Sequence, residues 1–280
     1  MPYMRLGTSG ATGTVLPRIT WFPAFGTLTF AFLASCGIST DDEVAIGKEN
    51  SAKVEQQLPI VRDPLAERYL DSLGQAIAAR ADRRGLTWRF RLVDSDEVNA
   101  FALPGGFVYV NRGLVVRAAT VSELAGVLGH EIGHVTMRHS AKQMEKAQRT
   151  GLGVTVLCTL TNVCDSQAGR AIVQVGGSAI MARFSRADEL EADSVAVGYV
   201  TDAGLDPDGI PSMFRRLMEE RDRSPDVLDS FFGTHPLEED RVQQAERLIA
   251  ATESDLPPNL VKDNEPYQQF RARLAPLARP

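Results

Sequence analysis

The feature that most constrains the fold of this chain is the run His-Glu-Ile-Gly-His at residues 130–134. On an α-helix, residues four apart lie about 40° apart around the axis, so the imidazoles of His130 and His134 can reach one metal ion. Glu131 then lies beside the metal, where it can act on a water molecule without being a ligand, as in zinc peptidases. Two surface histidines without a metal are the alternative. Three of the four histidines fall within residues 129–140, which favours the metal site.

The residues around the motif predict the helix that it needs. Thr120 and Glu123 match a capping box, in which the Glu123 side chain reaches back to the backbone N–H of Thr120. No proline follows until after Ala147, so we expect one continuous helix to about that residue. On a continuous helix His139 lies about 180° from His130. His139 is therefore excluded from the predicted metal shell.

A third protein ligand is expected downstream, because catalytic zinc usually keeps three protein ligands and one open position. Four carboxylates at residues 185–193 compete for this role: Asp188, Glu189, Glu191 and Asp193. Glu189 and Asp193 share an apolar stripe, where a carboxylate is costly unless it is paired or metal-bound, whereas Glu191 lies on the predicted solvent face. We predict Glu189 as the third ligand and Asp193 as the acceptor for a ligand histidine N–H. An ordinary acidic first turn is the alternative.

Three ordered motifs resemble the HtpX-like family of membrane-associated zinc metalloproteases, which includes the CAAX prenyl endopeptidases and the periplasmic quality-control proteases of Gram-negative bacteria. They are H-E-I-G-H-V at 130–135, S-R-x-x-E-x-x-A-D at 185–193, and T-H-P at 234–236 with Arg241. The resemblance implies Glu189 as third ligand and Arg241 in the same site. It also implies that His235 approaches the zinc, either to stabilise the transition state or to take the water position in a resting form.

By itself, His235 has a plainer interpretation. It precedes Pro236, which suits the first position of a helix whose first turn holds two glutamates. A capping or solvent-facing histidine has the same sequence signature.

The predicted fold class is α+β and mainly α-helical: a zincin-like metalloprotease with a small antiparallel β-sheet flanking the H-E-x-x-H helix. A helix is expected over residues 63–82, a strand over 88–93, and a hairpin with a Pro-Gly turn over 100–110. Such a hairpin can simply cover the helical core. In zinc peptidases of this kind its strand lies along the cleft, where a substrate peptide adds to the edge by main-chain hydrogen bonds. The predicted edge is Asn99, Ala100, Phe101, Ala102 and Leu103.

The N-terminus resembles a bacterial lipoprotein signal. An apolar run at residues 21–33 is too short to span a membrane and ends in Leu-Ala-Ser-Cys at 33–36. We predict a signal peptide over 1–35 and lipidation of Cys36; an ordinary signal peptide or a short uncleaved anchor is the alternative. Gly37 after the cysteine favours the outer membrane over the inner one. The predicted location is the periplasmic face of the outer membrane.

The remaining layout is predicted as a polar, irregular tether over 36–60, a zinc metalloprotease domain over 61–252, and a C-terminal tail over 253–280 with one short helix near 267–274. The apolar run at 152–160 is expected to form a buried helix near the active site. Two further cysteines, Cys158 and Cys164, are predicted to form a disulfide if a turn separates them.

The net charge of −6, without a basic cluster, argues against nucleic acid as a partner. No multi-pass membrane segment is evident, which disfavours a prenyl-protein protease, and no helical repeat follows the third motif, so the minimal protease form is expected. We predict a zinc metalloendopeptidase with one Zn²⁺ per chain, lipid-anchored in the bacterial envelope, that degrades unfolded or misassembled envelope proteins. The alternative is a latent protease that acts mainly as a periplasmic chaperone or outer-membrane assembly factor.

Overall fold

The structure, a computed structural model, describes residues 37–150, 184–223, 225–236 and 239–277. Its helices and strands in these ranges are α1 (Thr40–Gln57), α2 (Pro64–Ala81), β1 (Arg89–Val93), β2 (Ala100–Leu103), β3 (Phe107–Asn111), α3 (Arg112–Arg117), α4 (Val121–Thr136), α5 (His139–Thr150), α6 (Arg186–Asp202), α7 (Gly209–Arg223), α8 (Pro225–Thr234), α9 (Glu239–Thr252) and α10 (Glu265–Leu274). The predicted mainly helical, zincin-like class is confirmed. None of the helices in these ranges combines the length and the apolar character needed to cross a membrane.

Helix α4, which carries the His-Glu-x-x-His motif, forms the centre of the core. Every residue from Val121 to Val135 is buried, and α4 packs against α2, α6, α7 and β2. Glycines let α6 approach closely: a Cβ at Gly133 would lie 3.0 Å from the carbonyl oxygen of Ala192. The close approach brings the predicted third-ligand helix directly against the motif helix.

The β-sheet has the strand order β1-β3-β2, with β1 parallel and β2 antiparallel to β3. The predicted helix over 63–82, the strand over 88–93 and the hairpin are confirmed, but the prediction of a purely antiparallel sheet is wrong. Every residue of β3 is buried, and β3 lies at the centre of the sheet. The hairpin thus places β3 beside β1 and leaves β2 at the edge of the described sheet.

The prediction of an irregular tether for residues 36–60 is wrong over residues 40–57, which form α1. Ser39 and Asp42 form a capping box at its start. The buried face of α1 is mostly polar or small, including Glu43, Gly47 and Ser51, so it lacks the apolar period that marks a helix in sequence. Tertiary partners satisfy these groups; the Tyr109 hydroxyl, for example, lies 3.1 Å from Ser51 Oγ.

The predicted continuous helix through residue 147 is also wrong, because α4 ends at Thr136 and α5 begins at His139. Arg138 between them adopts a left-handed φ of 61°, which is uncommon for a residue other than glycine. Its guanidinium contacts the Glu43 carboxylate at 2.5 Å and the carbonyl oxygen of Ile38. Contacts from the N-terminal segment, remote in sequence, therefore stabilise the break.

The start of α4 departs from the predicted capping box. Thr120 Oγ1 accepts the Glu123 N–H at 3.3 Å, as predicted. The Glu123 carboxylate instead accepts the backbone N–H of Ala119 at 2.6 Å and pairs with Arg216 and Ser212 of α7. One side chain therefore caps α4 and joins it to α7.

The predicted C-terminal helix is confirmed as α10, and it packs against the core of the domain. Tyr267, Phe270 and Leu274 are buried, and the Tyr267 hydroxyl donates to the carbonyl oxygen of Ala118 at 2.8 Å. The predicted domain end at residue 252 therefore does not coincide with the edge of the core. The predictions for residues 1–36, for 152–160 and for Cys158 and Cys164 lie outside the described residues.

Candidate metal centre and active site

Four buried side chains from three parts of the chain converge at one point: His130 and His134 of α4, Glu189 of α6, and His235 just after α8. One ligand atom from each lies within 4.8 Å of all the others. The Nε2 atoms of the two α4 histidines are 2.9 Å apart, and each lies 3.5 Å from an oxygen of Glu189. The structure thus brings together the three predicted ligands and His235.

The protonation pattern of this cluster fits a metal ion. His130 Nδ1 lies 2.7 Å from Asp193 Oδ1, so the ring donates there and, when neutral, presents a lone pair at Nε2. The Nε2 atom of His134 faces that lone pair, and Glu189 adds a carboxylate oxygen. Two imidazole nitrogens and a carboxylate are the ligand types of catalytic zinc. The residues present therefore fit Zn²⁺.

The position of Glu189 follows from how α6 begins. Ser185 caps the helix and forms a capping box with Asp188, which sets the rotation of the first turn. Glu189 and Asp193, four residues apart, then face α4, and both side chains are fully buried. Glu191 lies on the other side of the helix with its side chain 47% exposed. The three carboxylates thus occupy the faces predicted for them.

Arg241 of α9 neutralises the two buried carboxylates. Its Nε and Nη2 contact the two Asp193 oxygens at 2.7 and 2.8 Å, and its Nη1 lies 2.6 Å from Glu189 Oε2. Burial by itself would raise the pKa of Asp193, but the charge and hydrogen bonds of Arg241 hold it below the usual range. Burial likewise opposes ionisation of Glu189, and the charges of His235 and Arg241 outweigh it, so its pKa lies well below the ordinary value. Both carboxylates therefore favour the ionised form, which the roles predicted for Glu189 and Asp193 require.

Glu131 has the environment of a general base. Its side chain is buried, and burial raises the pKa of its carboxyl group despite the nearby histidines. The carboxylate accepts the backbone N–H of Ala102 on β2, whereas Oε1 has no hydrogen-bond partner among the described residues. The Ala102 bond must therefore involve the other oxygen. One carboxylate oxygen is thus held in place and the other is available to a water molecule.

His235 lies among the predicted ligands. Its Nδ1 is 3.1 Å from Glu189 Oε1 and 3.2 Å from His130 Nε2, and its Nε2 is 3.4 Å from Glu131 Oε1. Burial opposes its protonation, but the Glu189 and Glu131 carboxylates raise its pKa above the ordinary value. Burial lowers the pKa of His134 well below the ordinary value. The prediction that Pro236 starts a helix is wrong, because α9 begins at Glu239.

The edge strand β2 lies against Glu131. The carbonyl oxygen of Asn99 accepts the N–H of Asn111 on β3. Bonded and non-bonded pairs alternate in an antiparallel ladder, so Phe101 and Leu103 also bond to β3, while the backbone groups of Ala100 and Ala102 point away from it. The Ala102 N–H turns to Glu131. Of the predicted edge residues, Ala100 and Ala102 therefore have outward backbone groups.

His139 is the site residue that the sequence analysis missed. It is not among the four clustered ligands, so its exclusion from the metal shell agrees with the structure, but it is fully buried and its Nδ1 lies 2.8 Å from His134 Nδ1. The position of His139 depends on the helix break at Arg138. The sequence has no proline or glycine at this point, so it does not signal the break. The one available signal was the clustering of histidines.

Comparison with known proteins identifies the protein family of this chain. The sequence model described as peptidase family M48 matches residues 64–249. The beta-barrel assembly-enhancing protease of Yersinia pestis is 31% identical over 249 residues, which cover 86% of this chain and 49% of that protein. The protein of the same name from Escherichia coli strain K12 is 30% identical over 253 residues, or 86% of this chain and 50% of that protein.

A further relative, matched over a shorter stretch, is the mitochondrial metalloendopeptidase OMA1 of Arabidopsis thaliana. It is 31% identical over 199 residues, which cover 69% of this chain and 39% of that protein. The chain thus spans about half the length of the two bacterial relatives and less of the plant one.

Proposed function

The chain belongs to peptidase family M48 and is a metalloprotease, and we propose that it is an endopeptidase that binds one zinc ion through His130, His134 and Glu189. The membership confirms the resemblance of the three motifs to HtpX-like proteases, and proteases of this family are zinc-dependent. The observation that carries the proposal is the convergence of the two histidines with Glu189 beside the buried Glu131. Asp193 and Arg241 orient His130 and Glu189.

The side chains divide the chemistry among them. When bound, zinc polarises the scissile carbonyl and lowers the pKa of a water molecule toward neutrality. Glu131 accepts the proton of the attacking water through its unpartnered Oε1 and delivers it to the leaving amine. Its raised pKa suits both directions of transfer, because an acid–base group works best with a pKa near the operating pH. His235, 3.4 Å from this oxygen, donates to the negative charge that develops on the substrate.

The proposed substrates are unfolded or misassembled envelope proteins. The outward backbone groups of Ala100 and the outward carbonyl of Ala102 offer main-chain pairing, which holds an extended peptide with little sequence selectivity. Only unfolded segments can supply such a strand. The name of the bacterial relatives, beta-barrel assembly-enhancing protease, supports an envelope role.

A second candidate function follows from the position of His235. Its Nδ1 lies within 3.2 Å of both Glu189 and His130, so a fourth protein ligand would close the metal site and make the protease latent. In that state the chain would act mainly as a periplasmic chaperone or an outer-membrane assembly factor. His235→Ala separates the two: a gain of cleavage identifies a resting form closed by His235, and a loss identifies a catalytic His235.

Metal removal tests the proposed activity. We expect the full chain to cleave unfolded casein, to lose this activity after dialysis against a chelator, and to recover it with one equivalent of Zn²⁺, because the ligand set is built for one ion. The measurement is the release of acid-soluble peptide together with zinc per chain by elemental analysis. Casein cleavage that persists in the zinc-free protein would contradict the proposal.

We propose that the chain is anchored by lipid at Cys36 on the periplasmic face of the outer membrane, with residues 1–35 as signal peptide. The support is the Leu-Ala-Ser-Cys sequence after a short apolar run. Expressed in a Gram-negative host, the wild-type chain should incorporate radioactive palmitate and sediment with outer membranes, and Cys36→Ser should do neither. Equal labelling of both proteins would contradict the anchor. The disulfide between Cys158 and Cys164 stays a prediction.

A further inference from the structure

The two ligand histidines of α4 have different partners at the nitrogen that faces away from the metal site. His130 Nδ1 meets a buried carboxylate, Asp193, at 2.7 Å. His134 Nδ1 instead meets another imidazole, with His139 Nδ1 at 2.8 Å. The side chain of His139 is fully buried, so this contact excludes solvent. The outer nitrogen of His134 is therefore held by an imidazole and not by a carboxylate.

The contact between His134 and His139 depends on Arg138, whose backbone adopts a left-handed conformation. A continuous helix would carry His139 to the far side of α4, but the left-handed Arg138 ends α4 and turns His139 toward His134. Two groups from the N-terminal segment, the Glu43 carboxylate and the Ile38 carbonyl, hold the guanidinium of Arg138. The backbone and its ion pair thus set the direction of the His139 ring.

Geometry also assigns the protons. A neutral His134 that gives its Nε2 lone pair to a metal carries its proton on Nδ1, and that proton points at His139 Nδ1. His139 Nδ1 must then be the acceptor, so its own proton sits on Nε2. That nitrogen lies 3.0 Å from Glu191 Oε2. Each group in the series from Glu191 through His139 to His134 has a defined donor or acceptor role.

We propose that His139 is a positioning residue for the metal site: it holds the His134 ring with its Nε2 lone pair toward the metal, and Glu191 in turn holds His139. This inference rests on the metal site proposed above. It gives Glu191, assigned in sequence to the solvent face, an indirect role, since its side chain is half-exposed yet ends on a buried ring. Partners of this kind typically contribute 10–100-fold to metal affinity.

Zinc affinity tests the proposal without relying on activity. His139→Gln and His139→Leu fill similar volume, but only glutamine keeps an oxygen that can accept the His134 proton. Competition with a chromogenic chelator should give zinc binding about 10–100-fold weaker for His139→Leu than for wild type, with His139→Gln in between. The visible spectrum of the Co²⁺-substituted protein, which reports ligand geometry, should change in the leucine variant and less in the glutamine variant.

The controls separate the proposal from its premise. Lys142→Ala removes an exposed cation 3.7 Å from Glu191 and should bind zinc like wild type. Equal zinc affinity and the same Co²⁺ spectrum in wild type and His139→Leu would overturn the role of His139, whereas failure of wild type to bind zinc would overturn the metal site itself. If neither His139 variant folds, Glu191→Ala decides: the proposal requires weaker zinc binding than in Lys142→Ala, and equal binding overturns it.

Discussion

Glu131→Gln is expected to slow casein cleavage by about 10²–10⁴-fold, the usual contribution of a general acid–base group, with zinc content unchanged. Glutamine keeps the shape of the side chain and an oxygen that can accept the Ala102 N–H, but it cannot take a proton from water. Because Glu131 is no ligand in the proposed site, the metal should remain. The measurement is the initial rate of casein cleavage at equal zinc loading.

The position of Glu131 explains why no other carboxylate should replace it. Its Oε1 has no hydrogen-bond partner among the described residues, whereas the charges of Glu189 and Asp193 are paired with Arg241. Glu49→Gln, on the exposed side of α1, is the matched control and should cleave at the wild-type rate. Full activity of Glu131→Gln would rule out the proposed mechanism.

Arg241→Met is expected to lower the free energy of unfolding of the zinc-free protein by about 3–5 kcal/mol, the usual cost of leaving a buried charge unpaired. The Arg241 side chain is only 2% exposed, and those of Asp193 and Glu189 are fully buried. Without the guanidinium the two carboxylates face each other in a medium that solvates neither. Urea unfolding followed by circular dichroism, in excess chelator, measures the change.

An exposed ion pair on a neighbouring helix provides the comparison. Arg215 of α7 contacts Glu246 of α9, with side chains 53% and 40% exposed. Arg215→Met should cost no more than about 1 kcal/mol, because water screens such pairs. A loss for Arg241→Met no larger than that for Arg215→Met would show that the buried carboxylates do not depend on their counter-ion.

The helical phase was enough to find most of the site. The spacing of His130 and His134, and the burial of Glu189 against the exposure of Glu191, depend only on local helix geometry, and the structure agrees with each. Asp193 followed from the same phase. The roles of His235 and Arg241 came from the family resemblance, since a loop histidine has no phase to analyse.

Three structural features could not be predicted from the sequence, because contacts between residues far apart in the chain determine them. Helix α1 buries Glu43 and other polar groups against partners far along the chain, so it has no apolar period. Either strand of the β2–β3 hairpin could pair with β1, and the local sequence pattern does not show that β3 is the one that does. The turn of His139 toward His134 depends on Arg138, whose left-handed backbone is stabilised from residues 38 and 43.

The sequence by itself determined the residue types of the proposed ligands, the phase of the two helices that carry three of them and the position of Glu131 as the proposed general base, because residues on one α-helix have a relative orientation fixed by their spacing. Only the tertiary structure decided what surrounds these side chains: Arg241 lies on Glu189 and Asp193, Ala102 on Glu131 and His139 on His134. The first two contacts join elements far apart in the chain, and the third depends on the turn at Arg138, which residues 38 and 43 stabilise. The geometry of all three contacts depends on how the whole core packs around α4. A local sequence pattern does not predict that packing.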